Sequence, residues 1–152
     1  MKDIVTPIIS FFQDFPYFEE IGFNVGELRF VNSISEANAL EYRGTPQPTP
    51  RYDILGNVYL EKQANFVLLL SRMKDDDIKS TTISNLLFNL EEWVEEQNFL
   101  GLCPKLGDDP ETERMWADNG RWYSGTEDEA IDIYQVQIHI KYLKKYETVV
   151  SA

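Results

Sequence analysis

Residues 81–98 read TTISNLLFNLEEWVEEQN. Ile83, Leu86, Leu87, Leu90, Trp93 and Val94 fall at i, i+3, i+4, i+7, i+10 and i+11. That is the stripe an α-helix turns to one side at 3.6 residues per turn. Asn85, Asn89, Glu92, Glu95 and Glu96 take the opposite face. The spacing predicts an amphipathic helix over 81–98, with Ser80, Thr81 or Thr82 as N-cap and Gly101 and Pro104 marking its stop. Asp75, Asp76 and Asp77 just ahead of it favour the positive end of the helix dipole. Such a stripe needs a surface to cover.

Runs on both sides of this helix supply one. Tyr52–Glu61 and Asn65–Met73 read as two strands of a hairpin turned at Lys62-Gln63-Ala64. Phe66-Val67-Leu68-Leu69-Leu70 is continuously apolar, as expected of a central strand covered on both faces. Near the C-terminus Tyr134, Val136, Ile138, Ile140 and Tyr142 alternate with Gln135, Gln137, His139 and Lys141, which predicts a strand with one buried face. Between them, Arg114–Ser124 contains Asn119-Gly120. A two-residue hairpin turn needs positive φ at both positions, and Asn-Gly meets that need best. Such a turn places Trp116 opposite Tyr123, Ala117 opposite Trp122 and Asp118 opposite Arg121. From Lys144 onward the tail is expected to fray.

Upstream, Ile4, Val5, Ile8, Phe11, Phe12 and Phe15 predict a helix over 3–15. Pro7 fits its early turn, and Pro16 ends it by pushing Phe15 out of helical geometry. Leu28, Phe30, Asn32 and Ile34 alternate as a strand. Arg43–Arg51 carries Gly44, Pro46, Pro48 and Pro50, and prolines at every second position cannot join a sheet interior. It reads as an extended, exposed loop, and Pro104–Thr112 reads as a second loop. The order of elements gives an α+β fold, a mostly antiparallel sheet with two main helices packed on one face. One domain spans 1–152, with 1–2 and 147–152 expected to be loose.

A chain of 152 residues, 43% hydrophobic and 13% aromatic, is able to fold around its own core. A domain of this size buries roughly 68–70% of the surface its unfolded chain exposes. The net charge of −12 comes from 26 acidic and 14 basic residues. It argues against sequence-specific nucleic-acid binding and against anionic membranes. Acidic walls do suit a channel through which DNA must slide without sticking. A single cysteine, Cys103, forms no internal disulfide and fits a reducing compartment. Asp3, Pro7, Gln13 and Asp14 interrupt the apolar N-terminal stretch, which reads poorly as a signal peptide. Phe66–Leu70 falls far short of the ~20 residues needed to span a bilayer.

The same inventory is poor in chemistry. His139 is the only histidine, and it reads as a surface residue on the polar face of a strand. Cys103 follows Phe99, Leu100 and Leu102 and reads as a buried structural thiol. There is no P-loop, GxGxxG, GxSxG or HExxH motif. Asp75–Asp77 lack the alternating ligands of an EF-hand. Asp108, Asp109, Glu111 and Glu113 read as a solvated loop. No catalytic, metal-binding or cofactor-binding residue is expected. What remains is surface. Arg43 and Arg51 bound the proline-rich loop, and Trp116, Arg121, Trp122 and Tyr123 share the hairpin. Trp, Tyr and Arg are enriched where subunits meet, although Trp116 and Tyr123 also read as a cross-strand pair steadying the hairpin. Lys141, Lys144 and Lys145 read as a solvated strand end or a patch for an acidic neighbour.

The helix Asp3–Phe15, the hairpin Tyr52–Met73, the helix Ser80–Asn98 and the terminal strand Ile133–Tyr142 together resemble minor capsid proteins of tailed phages and prophages of Gram-positive bacteria. Those are similar in layout to siphophage tail terminators. The resemblance covers nearly the whole chain and rests on layout, without a diagnostic motif. It implies a ring, usually a hexamer, that caps the tail tube at the head–tail junction of a virion assembled in the host cytoplasm. The implied partners are other copies of the chain, the major tail tube protein and a head-completion or connector protein. The resemblance brings no catalytic residue. Two other readings stay open: a different head–tail connector or tail-completion protein, and a cellular small-ligand binder or carboxylate-based hydrolase.

Overall fold

The sheet is built on two long strands, β4 (Val58–Met73) and β6 (Ile131–Tyr146), each of 16 residues. They pair antiparallel over their whole length, from Val58↔Tyr146 to Met73↔Ile131, a ribbon of about 50 Å at strand rise. The computed structural model describes residues 1–18, 29–30, 39–73, 80–124 and 131–147. Six described strands run in the order β1-β2-β4-β6-β5, with β3 also on β4. Here β1 is Arg29–Phe30, β2 Ala39–Gly44, β3 Pro50–Tyr52 and β5 Arg114–Ser124. Every pairing is antiparallel except β1 with β2. The helices are α1 (Val5–Gln13) and α2 (Ser80–Phe99). The architecture is α+β, as the sequence predicts.

The helices cover one sheet face. Ile8, Phe11 and Phe12 of α1 and Ile83, Leu86, Leu87, Leu90 and Val94 of α2 join one buried cluster. Phe66, Leu68, Val136, Ile138 and Ile140 supply the sheet side of it. Phe11 and Phe15 both pack on Trp93, at ring separations of 4.8 and 5.3 Å, which fastens α1 to α2. Ile4 takes the N-cap position of α1, and the Oδ1 of Asp3 just ahead of it accepts from the backbone N–H of Val5 and Thr6 at 3.1 Å each. Ser80, Thr81 and Thr82 all lie within α2, so none of the three caps it. On the other sheet face Val67, Leu69, Ile133 and Gln135 are buried too. The run Phe66–Leu70 is thus covered on both sides, as its lack of alternation implies.

Three expectations need correction. The strand pair with a turn at Lys62-Gln63-Ala64 is one continuous strand, since β4 runs unbroken through those residues. None of the three is a turn former, and the hairpin instead joins β3 to β4 at Asp53–Asn57. Gly56 there adopts φ 84°, which a side chain would resist. The pair Gly56-Asn57 is the turn chemistry at this point of the chain.

Asn119-Gly120 likewise makes no hairpin, because β5 is a single strand. Asp118 pairs with Gln137 and Arg121 with Gln135, so Asn119 and Gly120 together oppose one residue of β6. This is a β-bulge, with Asn119 at φ 54°. The expected pairs Trp116–Tyr123 and Asp118–Arg121 do not form. Finally, the tail does not fray at Lys144. Asp108 accepts from the Lys145 backbone N–H at 2.9 Å, and the Asp108 N–H donates to the Leu143 carbonyl at 2.8 Å. The 104–113 loop thus staples the end of β6.

The proline-rich stretch is irregular only over 45–49. Arg43 and Arg51 lie in the flanking strands. The strand expected over 28–34 falls outside the described residues except at Arg29 and Phe30. Asp75–Asp77 fall outside them altogether.

Candidate assembly surfaces

The bulge in β5 decides how this edge of the sheet presents its side chains. Strand residues alternate between faces, so an extra residue reverses the order beyond it. Trp116 and Asp118 point away from the helices, and so does Arg121, while Trp122 pairs with Tyr134 on the helix side. At the bulge the Gly120 N–H donates to Glu91 of α2 at 2.8 Å. A Cβ there would come within 3.1 Å of both Leu87 Cβ and Glu91 Oε1, so the glycine allows the helix to approach closely.

On the face away from the helices, His139 is the hub. Its side chain is 15% exposed, so the expectation of a surface histidine is corrected. One ring nitrogen lies 2.7 Å from Asn65 Oδ1 and the other 3.0 Å from Asp118 Oδ1. Gln63 also donates to Asn65 Oδ1 at 2.8 Å. Trp116, half-buried, stacks on the His139 ring at 5.0 Å, with the Arg114 guanidinium 5.4 Å over the indole. Trp116 is therefore committed to a polar network within the subunit.

Beside this network lies a shallow cavity of about 380 Å³ lined by Arg43, Asn65, Val67, Arg121, Gln135, Gln137 and His139. Arg43 reaches it from a bulge in β2 between the pairs Tyr42↔Phe66 and Gly44↔Asn65. Arg121 reaches it from β5, where it donates to the Gln135 side-chain oxygen from Nε at 2.9 Å and Nη2 at 3.0 Å. Two arginines assigned to separate segments by sequence thus share one cavity across the sheet. Nothing in their spacing along the chain signals it.

Trp122 belongs to a different surface. With Ile83, Ser84, Leu87, Phe88, Glu91, Gly120, Arg121 and Tyr134 it lines an open groove of about 520 Å³ between α2 and β5. Phe88 is 61% and Trp122 53% exposed. Arg51, on β3 beyond the other side of β4, forms an exposed pair with Glu61 at 3.4 Å. The backbone of Tyr123 continues β5, and its side chain lies outside the described residues.

The 104–113 loop holds a group that the sequence reading misplaced. Glu113 is 7% exposed, not solvated, and its Oε1 accepts from Leu106 N–H at 2.5 Å and Gly107 N–H at 2.7 Å. Cys103 is buried nearby, as expected, and burial pushes its thiol up to about 11. Among the described residues no three His, Cys, Asp or Glu side chains are grouped to hold a metal ion, and no helix is long and apolar enough to cross a membrane. No protein-family model matches the chain, and no curated protein matches it.

Proposed function

We propose that this chain is a structural subunit of a tailed phage, a ring-forming tail terminator that caps the tail tube and supports head–tail joining. One observation carries the reading. The sheet carries unlike exposed side chains on its two sides, Trp122 on β5 and Arg51 on β3 beyond β4. Beyond β5 the sheet has no further strand among the described residues. A cyclic ring joins one patch of each subunit to a different patch of the next, and open sheet edges serve such contacts. The layout resembles tail terminators, and −12 per subunit would give a ring acidic walls that do not retain DNA.

The test mixes the purified chain with polymerising tail tube protein and images the tubes by negative-stain electron microscopy. A terminator leaves a ring of density on one end and stops elongation. Tubes that keep growing with bare ends refute the assignment.

A second reading, a cellular binder of a small anionic ligand, draws on the cavity that brings Arg43, Arg121 and His139 together. Saturable binding of carboxylate or phosphate compounds by calorimetry, abolished by Arg121→Ala, would favour it over the ring.

A further inference from the structure

A strand at the margin of a sheet turns every second residue's N–H and C=O outward, where another chain's strand can pair with them. Here β5 is such a strand. It pairs with β6 on one side, and no strand lies beyond it among the described residues. Its register is regular from Arg114↔Lys141 to Asp118↔Gln137, so Met115 and Ala117 turn their backbone groups the same way. The Met115 N–H donates to Asn98 Oδ1 of α2 at 2.8 Å. It therefore faces away from β6, and so does the Ala117 N–H. Past Asp118 the bulge interrupts the strand, and there the Gly120 N–H donates to Glu91 Oε1 of α2 at 2.8 Å.

Both acceptors come from one helix. Asn98 lies in the last turn of α2 and reaches the start of β5, and Glu91 reaches the bulge. Seven residues separate the two, which is two helical turns, so both leave the same side of α2. Neither belongs to the buried cluster that seats the helix on the sheet. Packing does not require them, yet between them they hold the donors at both ends of the outer edge.

We infer that α2 closes the outer edge of β5 to strand addition. An added strand must displace Asn98 and Glu91 before it can pair with Met115 and Gly120. Glu91 also sets a negative charge where carbonyl oxygens of that strand would lie. The contact keeps free subunits from joining edge to edge. In the ring reading, a neighbour at this edge meets side chains such as Trp122 and not an open ladder. The inference itself does not need that reading.

The test is sedimentation velocity of the full chain over a concentration series at physiological ionic strength, joined to amide hydrogen exchange followed by NMR. The opened variant is Glu91→Ala with Asn98→Ala. Alanine suits a helix at both positions, and circular dichroism should show an unchanged fold. The control is Glu91→Gln with Asn98→Asp, which keeps both acceptor oxygens and the net charge. In wild type and control, Met115 and Gly120 amides should exchange slowly, and Ala117 should gain no protection as concentration rises. In the dilute opened variant, Met115 and Gly120 should exchange faster. On concentration that variant should dimerise about tenfold or more tightly than wild type, the worth of two displaced bonds, with Met115 and Ala117 gaining protection together. Each single alanine variant should show part of this gain, so the test survives a double variant that fails to fold.

Opened variants that associate no better than wild type overturn the inference. So does a control that dimerises like the opened variant, a dimer that leaves Ala117 exchanging freely, or a wild type whose Ala117 is protected on association. Wild-type rings that cap tubes while Ala117 still exchanges support both readings. Tubes left uncapped remove the terminator reading and leave the closed edge standing.

Discussion

Replacing Glu113 with alanine should lower stability by about 2–4 kcal/mol, and the geometry sets that figure. The carboxylate accepts two short backbone bonds, from Leu106 at 2.5 Å and Gly107 at 2.7 Å. Bonds to a charged group contribute roughly 1.5–3 kcal/mol each, so the pair amounts to about 3–6 kcal/mol. Against this, Oε2 is buried without a partner among the described residues. Alanine removes that cost, about 1–3 kcal/mol.

The loop has little room to adjust. A Cβ on Gly107 would sit 2.4 Å from the Leu143 carbonyl oxygen, so the backbone of the loop lies directly against β6. Glu113→Gln separates the contributions. Its amide oxygen still accepts both N–H groups, and the buried charge is gone, so its loss should stay within about 1 kcal/mol. Urea titrations with unchanged m-values measure both. An alanine variant within about 0.5 kcal/mol of wild type, or a glutamine variant as damaging as alanine, would refute this account of the loop.

Trp122→Ala should cost the isolated subunit about 2–3 kcal/mol, since half of the indole is covered and a whole aromatic side chain buries about 150–250 Å². Trp122→Phe should restore most of it in the same urea titration. Acid should weaken the bonds that Asp3, Asp53 and Asp108 make, since all three are held below the ordinary carboxylate value. Donation from Thr6 lowers Asp3. Burial raises Asp53, but bonds from Asn57, Leu55 and Tyr59 outweigh it. The Lys145 backbone lowers Asp108 most. Their folded values lie below the unfolded one near 3.9. Their contribution is therefore complete above that pH and is lost as pH falls through the folded values. A thermal-melt series should be flat in mildly acidic buffer and drop below about pH 4, and Asp53→Asn should make the drop shallower. Cys103, with its thiol pushed up to about 11, should resist iodoacetamide at neutral pH and react fully in denaturant, as mass spectrometry would show.

Periodicity made part of the fold legible because it records which side of an element is dry. The stripe from Ile83 to Val94 marked α2, and the alternation from Tyr134 to Tyr142 marked β6. The unbroken run Phe66–Leu70 marked a strand covered twice. Turn chemistry was less reliable. Asn119-Gly120 has the composition of a hairpin turn, but residues on both sides of it pair with β6. With that partner in place, one residue at positive φ produces a bulge. Whether Asn-Gly turns the chain or only kinks it depends on a strand that local sequence does not contain.

The candidate surfaces show the same division. Sequence alone offered Arg43, Arg51, Trp116, Arg121, Trp122 and Tyr123 as contact candidates, from their residue types and from the loop and turn composition around them. It also shows a single histidine and a single cysteine. Only the tertiary structure decided which of them meet. The bulge turns Arg121 and Trp122 to opposite sheet faces, with Arg121 also bordering the α2–β5 groove, the sheet brings Arg43 beside Arg121, and Trp116 stacks on His139. Only the full pairing of β4 with β6 sets the Asp53–Asn57 turn and the α2–β5 groove far apart along the paired strands. Local patterns report which face of an element is buried. Register and bulges, fixed by partners distant in sequence, decide what that face meets.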